Sequence, residues 1–353
     1  MNTGLNKSKI PRRDFLKATP VAAGMVLGAA KTFAHPGESL GGGAATTAAP
    51  SASPLRIETF DYHGVTLRES RWLKQVQMAR NYYVNVSNDD ILCGFRAAAG
   101  LAAPGKPLGG WCAKDSQIVF GQWLSGMARL SRATGDGALH DKAGTLMTEW
   151  AKTVKPDGDC GMPHYAWDKL VCGLVDMSLY AGNQDAVPLL EQSTNWAIKN
   201  LRHDPMIVLP KDNKIYYGDP PEWYTLAENQ FRAYQLTGNP KFKDFAQRWL
   251  YHEYWNKFAT TASPSDVKGV HAYSHVNTLS SAAMTYAVLG DQTYLQIIKN
   301  AYDFLQNTQC YATGGFGPNE RFMAADGSLG KALETRADTF ETMCGSRAAF
   351  KLA

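Results

Sequence analysis

The feature that most constrains this chain is a recurring stop. Ala133-Thr134-Gly135-Asp136, Tyr180-Ala181-Gly182-Asn183, Leu236-Thr237-Gly238-Asn239 and Val288-Leu289-Gly290-Asp291 share one form, with glycines 47, 56 and 52 residues apart. Each closes an apolar-periodic stretch, and each is succeeded by another: 138–154, 186–201, 241–257 and 294–307. Glycine past the end of a helix takes the left-handed conformation, and the Asp or Asn after it opens the next helix. The unit is therefore helix, tight turn, helix, repeated about every 50 residues, a period of helical arrays and toroids. Leu124, Met127, Ala128 and Ser131 fall on one helical stripe. Leu226, Asn229, Gln230, Ala233 and Leu236 form a second, partly polar stripe, as suits a helix facing a ligand-filled centre.

This spacing predicts about ten helices, starting near Arg71, Ser116, Ala138, His164, Ala186, Glu222, Lys241, His275, Tyr294 and Leu333. Residues 56–68 alternate and read as short strands. The expected fold is all-α: an α/α barrel of six hairpins, incomplete because ten helices make five pairs, with short entrance strands at the N-terminus. The last residues, Arg347–Leu352, are amphipathic and carry no stop signal, so the barrel reads as cut within its architecture.

With 44% hydrophobic and 19% charged residues, the chain can bury a core and is not intrinsically disordered. The net charge of +4 is concentrated in residues 1–34, which carry +5 and leave the rest at −1. The body thus offers no electrostatic case for nucleic acid. Residues 1–34 have Arg12-Arg13-Asp14-Phe15-Leu16-Lys17, an apolar run from Val21 to Ala30 and a small-residue site near Ala34. They read as a twin-arginine export signal, with an apolar run too short to span a membrane. The expected destination is the periplasm or the exterior, with no membrane span in the mature chain. Residues 35–54 read as a flexible linker and 55–353 as the folded domain. The six cysteines form no CxxC pair, which excludes a zinc ribbon or a thioredoxin motif.

The links between hairpins carry the unusual residues: Gly109-Gly110-Trp111, Met162-Pro163-His164-Tyr165, Pro220-Pro221-Glu222-Trp223-Tyr224, and the run from His271 to Thr278. In a closed barrel these converge on one mouth, where ring faces stack on sugars and polar neighbours bind hydroxyls. Trp111 and Trp223, beside glycine and proline loops, are assigned to the site. Thr313-Gly314-Gly315-Phe316-Gly317-Pro318-Asn319-Glu320 is the least helical stretch of the body. Glu320 on such a loop suits a general acid, and a surface Glu on a turn accounts for it equally. Glu341 and Cys344, three apart, share a helix face and are two potential zinc ligands. Spacing alone is better served by a buried thiol beside a capping Glu.

The order of motifs resembles the catalytic domain of β-L-arabinofuranosidase-type glycoside hydrolases, family 127 and its relatives, from about Phe60 to Ala353. The matching pieces are Asp90–Arg96 with Ala99-Gly100-Leu101, Gly109-Gly110-Trp111, Leu124–Ala128, Lys169–Asp176, His275-Val276-Asn277-Thr278, Thr313–Glu320 and Glu341–Cys344. The resemblance implies an α/α six-hairpin barrel and retaining hydrolysis by a cysteine thiolate held by zinc. It maps the acid/base onto Glu320, zinc ligands onto Glu341 and Cys344, and a substrate-binding position onto His275. His164, Trp111, Trp223, Asn277 and Gln122 complete the expected sugar pocket, Gln122 standing near where the family has a histidine. The ligand spacing here is Glu-x-x-Cys where the family has Glu-x-Cys. The family's adjacent cysteine pair would lie beyond Ala353.

The expected function is an exported glycoside hydrolase acting on β-L-arabinofuranosyl or related linkages in plant or algal glycans, with an oligo- or polysaccharide as partner. The alternative is a non-catalytic carbohydrate-binding barrel, or an inactive fragment lacking the cysteine pair. A polysaccharide lyase on the same barrel ranks last, since it would give the Glu and Cys motifs no role.

Overall fold

The computed structural model describes residues 61–64, 66–203, 206–208, 215–217, 222–335, 341–342 and 344–352. The expected signal (1–34) and linker (35–54) lie outside the described residues. All of the described residues belong to one compact unit, which begins at Ala52.

Its helices run in chain order as α1 (Arg71–Asn85), α2 (Asn88–Ala98), α3 (Gln117–Thr134), α4 (Gly137–Ala151), α5 (His164–Ala181) and α6 (Ala186–Asn200). Next come α7 (Leu226–Thr237), α8 (Pro240–Ala246), α9 (His252–Trp255), α10 (Ala272–Leu289), α11 (Gln292–Phe304), α12 (Ser328–Thr335) and α13 (Gly345–Leu352). Between α6 and α7 a small antiparallel hairpin pairs β1 (Met206–Val208) with β2 (Ile215–Tyr217), Ile207 opposite Tyr216.

The four recurring stops do what their residues dictate. Gly135, Gly182, Gly238 and Gly290 sit at φ between 62° and 76°, ending α3, α5, α7 and α10. The side chains of Asp136, Asn239 and Asp291 then accept backbone N–H bonds that open α4, α8 and α11. The helices before each stop form an inner series in which α3 meets α5, α5 meets α7, α7 meets α10, and α10 meets α13. The helices after each stop back them from outside.

Inner and outer helices differ as the sequence stripes imply. Large apolar side chains such as Trp150, Trp167, Phe231, Phe242, Phe245 and Trp249 fill the space between the layers. A second apolar group around Trp255, Phe258, Phe304 and Phe316 holds α10, α11 and the loop after them. The inner helices also bury Asp168, Asp176, Glu228, Asn229, Gln230, Ser280 and Ser281, so the ring's interior is polar. Gly121 on α3 and Gly173 on α5 let these two helices touch. A Cβ on Gly121 would fall 2.0 Å from the Lys169 carbonyl oxygen.

The entrance strands are corrected. Residues 61–64 and 66–68 form no strand. Their side chains go to α3 instead: Asp61 pairs with Arg132, and the Tyr62 hydroxyl accepts from Arg129 at 2.6 Å. Residues 56–60 and 65 lie outside the described residues. The single helix expected from Arg71 is two, because Val86 turns extended and the Ser87 side chain caps α2. Among the described residues no helix is long and apolar enough to cross a membrane.

Candidate active site

A cavity of about 580 Å³ opens among the N-terminal ends of inner helices and the loops that precede them. Trp111, Ile118, Val119 and Gln122 line it from the α3 side, Tyr165 and Lys169 from α5, and Glu222, His271 and Tyr273 from the approaches to α7 and α10. Glu320, Thr342, Cys344 and Arg347 complete the wall.

The loop carrying Glu320 is pinned at several points. The end of α11 loosens into a π-turn over Leu305–Gln309, and Cys310 then bridges to Phe316 across the turn. The Thr342 N–H donates to the Phe316 carbonyl at 2.8 Å. His271 and Arg321 form an isolated bridge, with the Phe322 N–H donating to Val270 O at 3.1 Å. Glu320 thus stands beside His271 by main-chain design.

His271 joins two carboxylates. Its Nδ1 lies 3.1 Å from Glu222 Oε1 and 2.8 Å from Ser274 Oγ, and its Nε2 lies 3.4 Å from Glu320 Oε2. The bond to Glu222 raises the imidazole's pKa, against partial burial that lowers it. Burial would raise the Glu222 carboxyl, but bonds from His271, Ser274 and Tyr165 outweigh it and hold the group below its ordinary value. Glu222, Asn319 and Glu320 are the non-glycine residues with positive φ among those described, at 58°, 52° and 59°. Backbone of this kind persists where surrounding structure holds it, and it clusters at functional sites.

Beneath the cavity lies a charged layer. Asp176 accepts from Arg129 at 2.6 and 3.0 Å, from Ser125 Oγ at 2.5 Å, and from Arg232. Burial favours the acid form of Asp176, but the two guanidiniums outweigh it and depress its pKa. Nearer the cavity on α5, beside Lys169, Asp168 accepts from Asn229 at 2.8 Å and Thr225 at 3.1 Å, and burial lifts its pKa to about 6.

Of the residues assigned from sequence, the cavity gathers Glu320, Trp111, Gln122 and Cys344. Trp111 is 79% exposed at the rim, on the Gly109-Gly110 turn. His275 is 8% exposed, packed among Tyr224, Tyr251 and Tyr254, and its Nδ1 meets the His271 carbonyl at 2.9 Å. Burial lowers its pKa to about 4, so it is neutral at pH 7. Trp223 is 7% exposed and packs against His203, Trp249 and Tyr251. His164 points to the Arg202 carbonyl at 2.9 Å and the face of Trp249. Asn277 accepts from Lys351 at 2.6 Å. These four lie outside the cavity lining.

Glu341 accepts from Thr313 Oγ1 at 3.0 Å, and its carboxyl occupies the space a Cβ on Gly315 would need. Cys344 opens on the cavity instead. Among the described residues no three His, Cys, Asp or Glu side chains converge as metal ligands. Two donors are short of the four of a structural zinc site, or the three plus water of a catalytic one. The described residues by themselves do not build a zinc centre.

Reading the sequence missed His271 and Glu222 as site residues. A signal was present: Glu222, His271 and Glu320 are each 49 residues apart, one repeat of the hairpin unit.

The model of the β-L-arabinofuranosidase GH127 catalytic domain matches residues 64–352. The chain belongs to the GH127 catalytic-domain family. Solved GH127 structures share its fold. A GH127 β-arabinofuranosidase superposes with a TM-score of 0.54 at 17% identity, over 76% of this chain and 47% of that one. A GH127 β-L-arabinofuranosidase from Geobacillus stearothermophilus T6 gives a TM-score of 0.57 at 15% identity, over 82% of this chain and 52% of that one. This GH127 chain spans about half the length of each. No curated protein matches it in sequence.

Proposed function

We propose that this GH127 domain hydrolyses β-L-arabinofuranosyl or related linkages in plant or algal glycans, with Glu320 as acid/base, and that residues 1–34 export it by the twin-arginine route to the periplasm or beyond. Family membership supports glycoside hydrolysis. The observation that carries the assignment of Glu320 is its carboxylate, held on left-handed backbone at the cavity wall, 3.4 Å from His271 Nε2. In this reading Glu320 protonates the departing glycosidic oxygen while a cysteine thiolate, the nucleophile the resemblance implies, bonds to the anomeric carbon; Glu320 then takes the proton of the water that displaces the thiolate. His271, anchored by Glu222 and Ser274, fixes the carboxylate's direction. Trp111 at the rim offers a ring face to a sugar.

One observation favours a second reading, a carbohydrate-binding barrel without turnover. Among the described residues Cys344 is the cysteine on the cavity wall, and the resemblance assigns it to metal, not to attack on the sugar.

The test is hydrolysis of an aryl β-L-arabinofuranoside by the full-length gene product. Glu320→Gln is expected to lower the rate by about 100-fold or more, the worth of a positioned acid/base. An unchanged rate removes Glu320 from the role. Saturable sugar binding, seen by tryptophan fluorescence with no hydrolysis, selects the second reading.

A further inference from the structure

Lys169 and Arg347 are unusual among the cations of the barrel interior. Arg129 and Arg232 share Asp176, and Lys351 is paired with Glu228. Lys169 and Arg347 form no ion pair with a described carboxylate, yet both line the cavity. The Lys169 ammonium sits 3.5 Å from the centre of the Tyr165 ring. Arg347 reaches across the interior from α13 and offers one N–H to Cys172 Sγ on α5 at 3.7 Å. The nearby carboxylates are engaged elsewhere: Glu222 and Glu320 by His271, and Asp168 by Asn229 and Thr225.

Burying a charge without a directly paired counter-charge is costly, and a neutral sugar filling this cavity would strip water from both cations and return hydroxyl acceptors but no charge. A guanidinium fork matches the two oxygens of a carboxylate, and an ammonium beside it adds a point charge. We propose that Lys169 and Arg347 form an anion subsite within the cavity, which takes a glycan bearing a carboxylate, or a sulfate ester, on or next to the sugar that Glu320 faces. The inference rests on reading this cavity as a sugar site. Burial lowers the Lys169 pKa to about 8, although the carboxylates of Glu222 and Asp168 act to raise it.

The experiment measures dissociation constants of the full chain for D-galacturonate, D-galactose 6-sulfate and D-galactose by calorimetry at neutral pH and low salt. At least one anionic sugar is expected to bind about tenfold or more tightly than galactose, in keeping with charge-assisted hydrogen bonds. Galacturonate ahead of the sulfate assigns a carboxylate, and the reverse order assigns a sulfate ester. Lys169→Met and Arg347→Met should bring the ratio toward one, while Arg347→Lys, which keeps the charge, should retain part of it. Thermal melting of each variant shows whether it is folded. Equal affinity for charged and neutral sugars overturns the subsite and leaves the proposed function standing. Absence of binding by all three, together with no hydrolysis of the arabinofuranoside, overturns both.

Discussion

His271 Nε2 lies 3.4 Å from the Glu320 carboxylate, and the same ring is held from its other nitrogen by Glu222 at 3.1 Å. One imidazole therefore ties together carboxylates from two loops one hairpin repeat to either side of it. The pair of His271 and Glu222 has a defined pH window. The raised histidine contributes stability that is full below its unfolded value of 6.5 and is lost as pH rises through the higher folded value. The depressed Glu222 contributes above its unfolded value of 4.5, and that share is lost as pH falls through the lower folded one. Urea denaturation should show wild type more stable than Glu222→Gln between these limits, with the gap narrowing at pH 9. A gap that stays constant from pH 5 to pH 9 would contradict the pairing.

The buried Asp176 sits between two part-buried guanidiniums. Asp176→Asn keeps the shape and leaves Arg129 and Arg232 without their counter-charge. Breaking one side of a buried pair costs about 3–5 kcal/mol, so this variant should unfold at far lower denaturant or fail to accumulate. Since the folded pKa of Asp176 is depressed, its contribution in wild type is present above the ordinary carboxylate range and declines in acid.

Gly121→Ala tests the contact between α3 and α5. The new methyl would sit 2.0 Å from the Lys169 carbonyl oxygen, which is backbone and cannot swing away. Overpacking of this kind costs about 1–3 kcal/mol. Because the helix that must shift carries Lys169, affinity for any cavity ligand should fall along with the denaturation midpoint. Alanine at Gly126, on the same helix with nothing within 4 Å of the added methyl, is the control: helix propensity should raise its midpoint slightly and its affinity should be unchanged.

Thiol titration of the native chain should find one fast site. Cys344 is exposed, Cys310 is partly covered, and Cys93, Cys112, Cys160 and Cys172 are buried. Ellman's reagent should consume Cys344 first, with Cys344→Ser abolishing the fast phase. A sugar that fills the cavity should slow that phase, and a fast phase surviving in the variant would show that another thiol is the accessible one.

The hairpin repeat was legible because it is written in local chemistry. A glycine with φ near 70° and a capping Asp or Asn after it needs no tertiary information to be read. The Glu320 loop was legible for the same reason, since glycines and a proline forbid a helix there. The residues beyond local reading depend on where distant segments meet. His271 gains its role only when loops one repeat away on either side present their carboxylates to it. Trp223 and His164 sit beside irregular loops, yet they pack on Trp249 and are not among the residues that line the cavity. The alternating residues near the N-terminus of the barrel looked like strands, but their arginine-seeking Asp61 and Tyr62 found α3 first.

Left-handed main chain at Glu222 and Glu320 carries an evolutionary implication. Glycine would relieve the backbone strain at both places, but at Glu222 it would also forfeit the bond to His271. The Glu320 side chain retained there is a standing sacrifice of robustness, made where the chain holds a histidine between two acids. A library sorted for heat tolerance should therefore accumulate glycine at position 320 before position 222, where the bond to His271 offsets the strain.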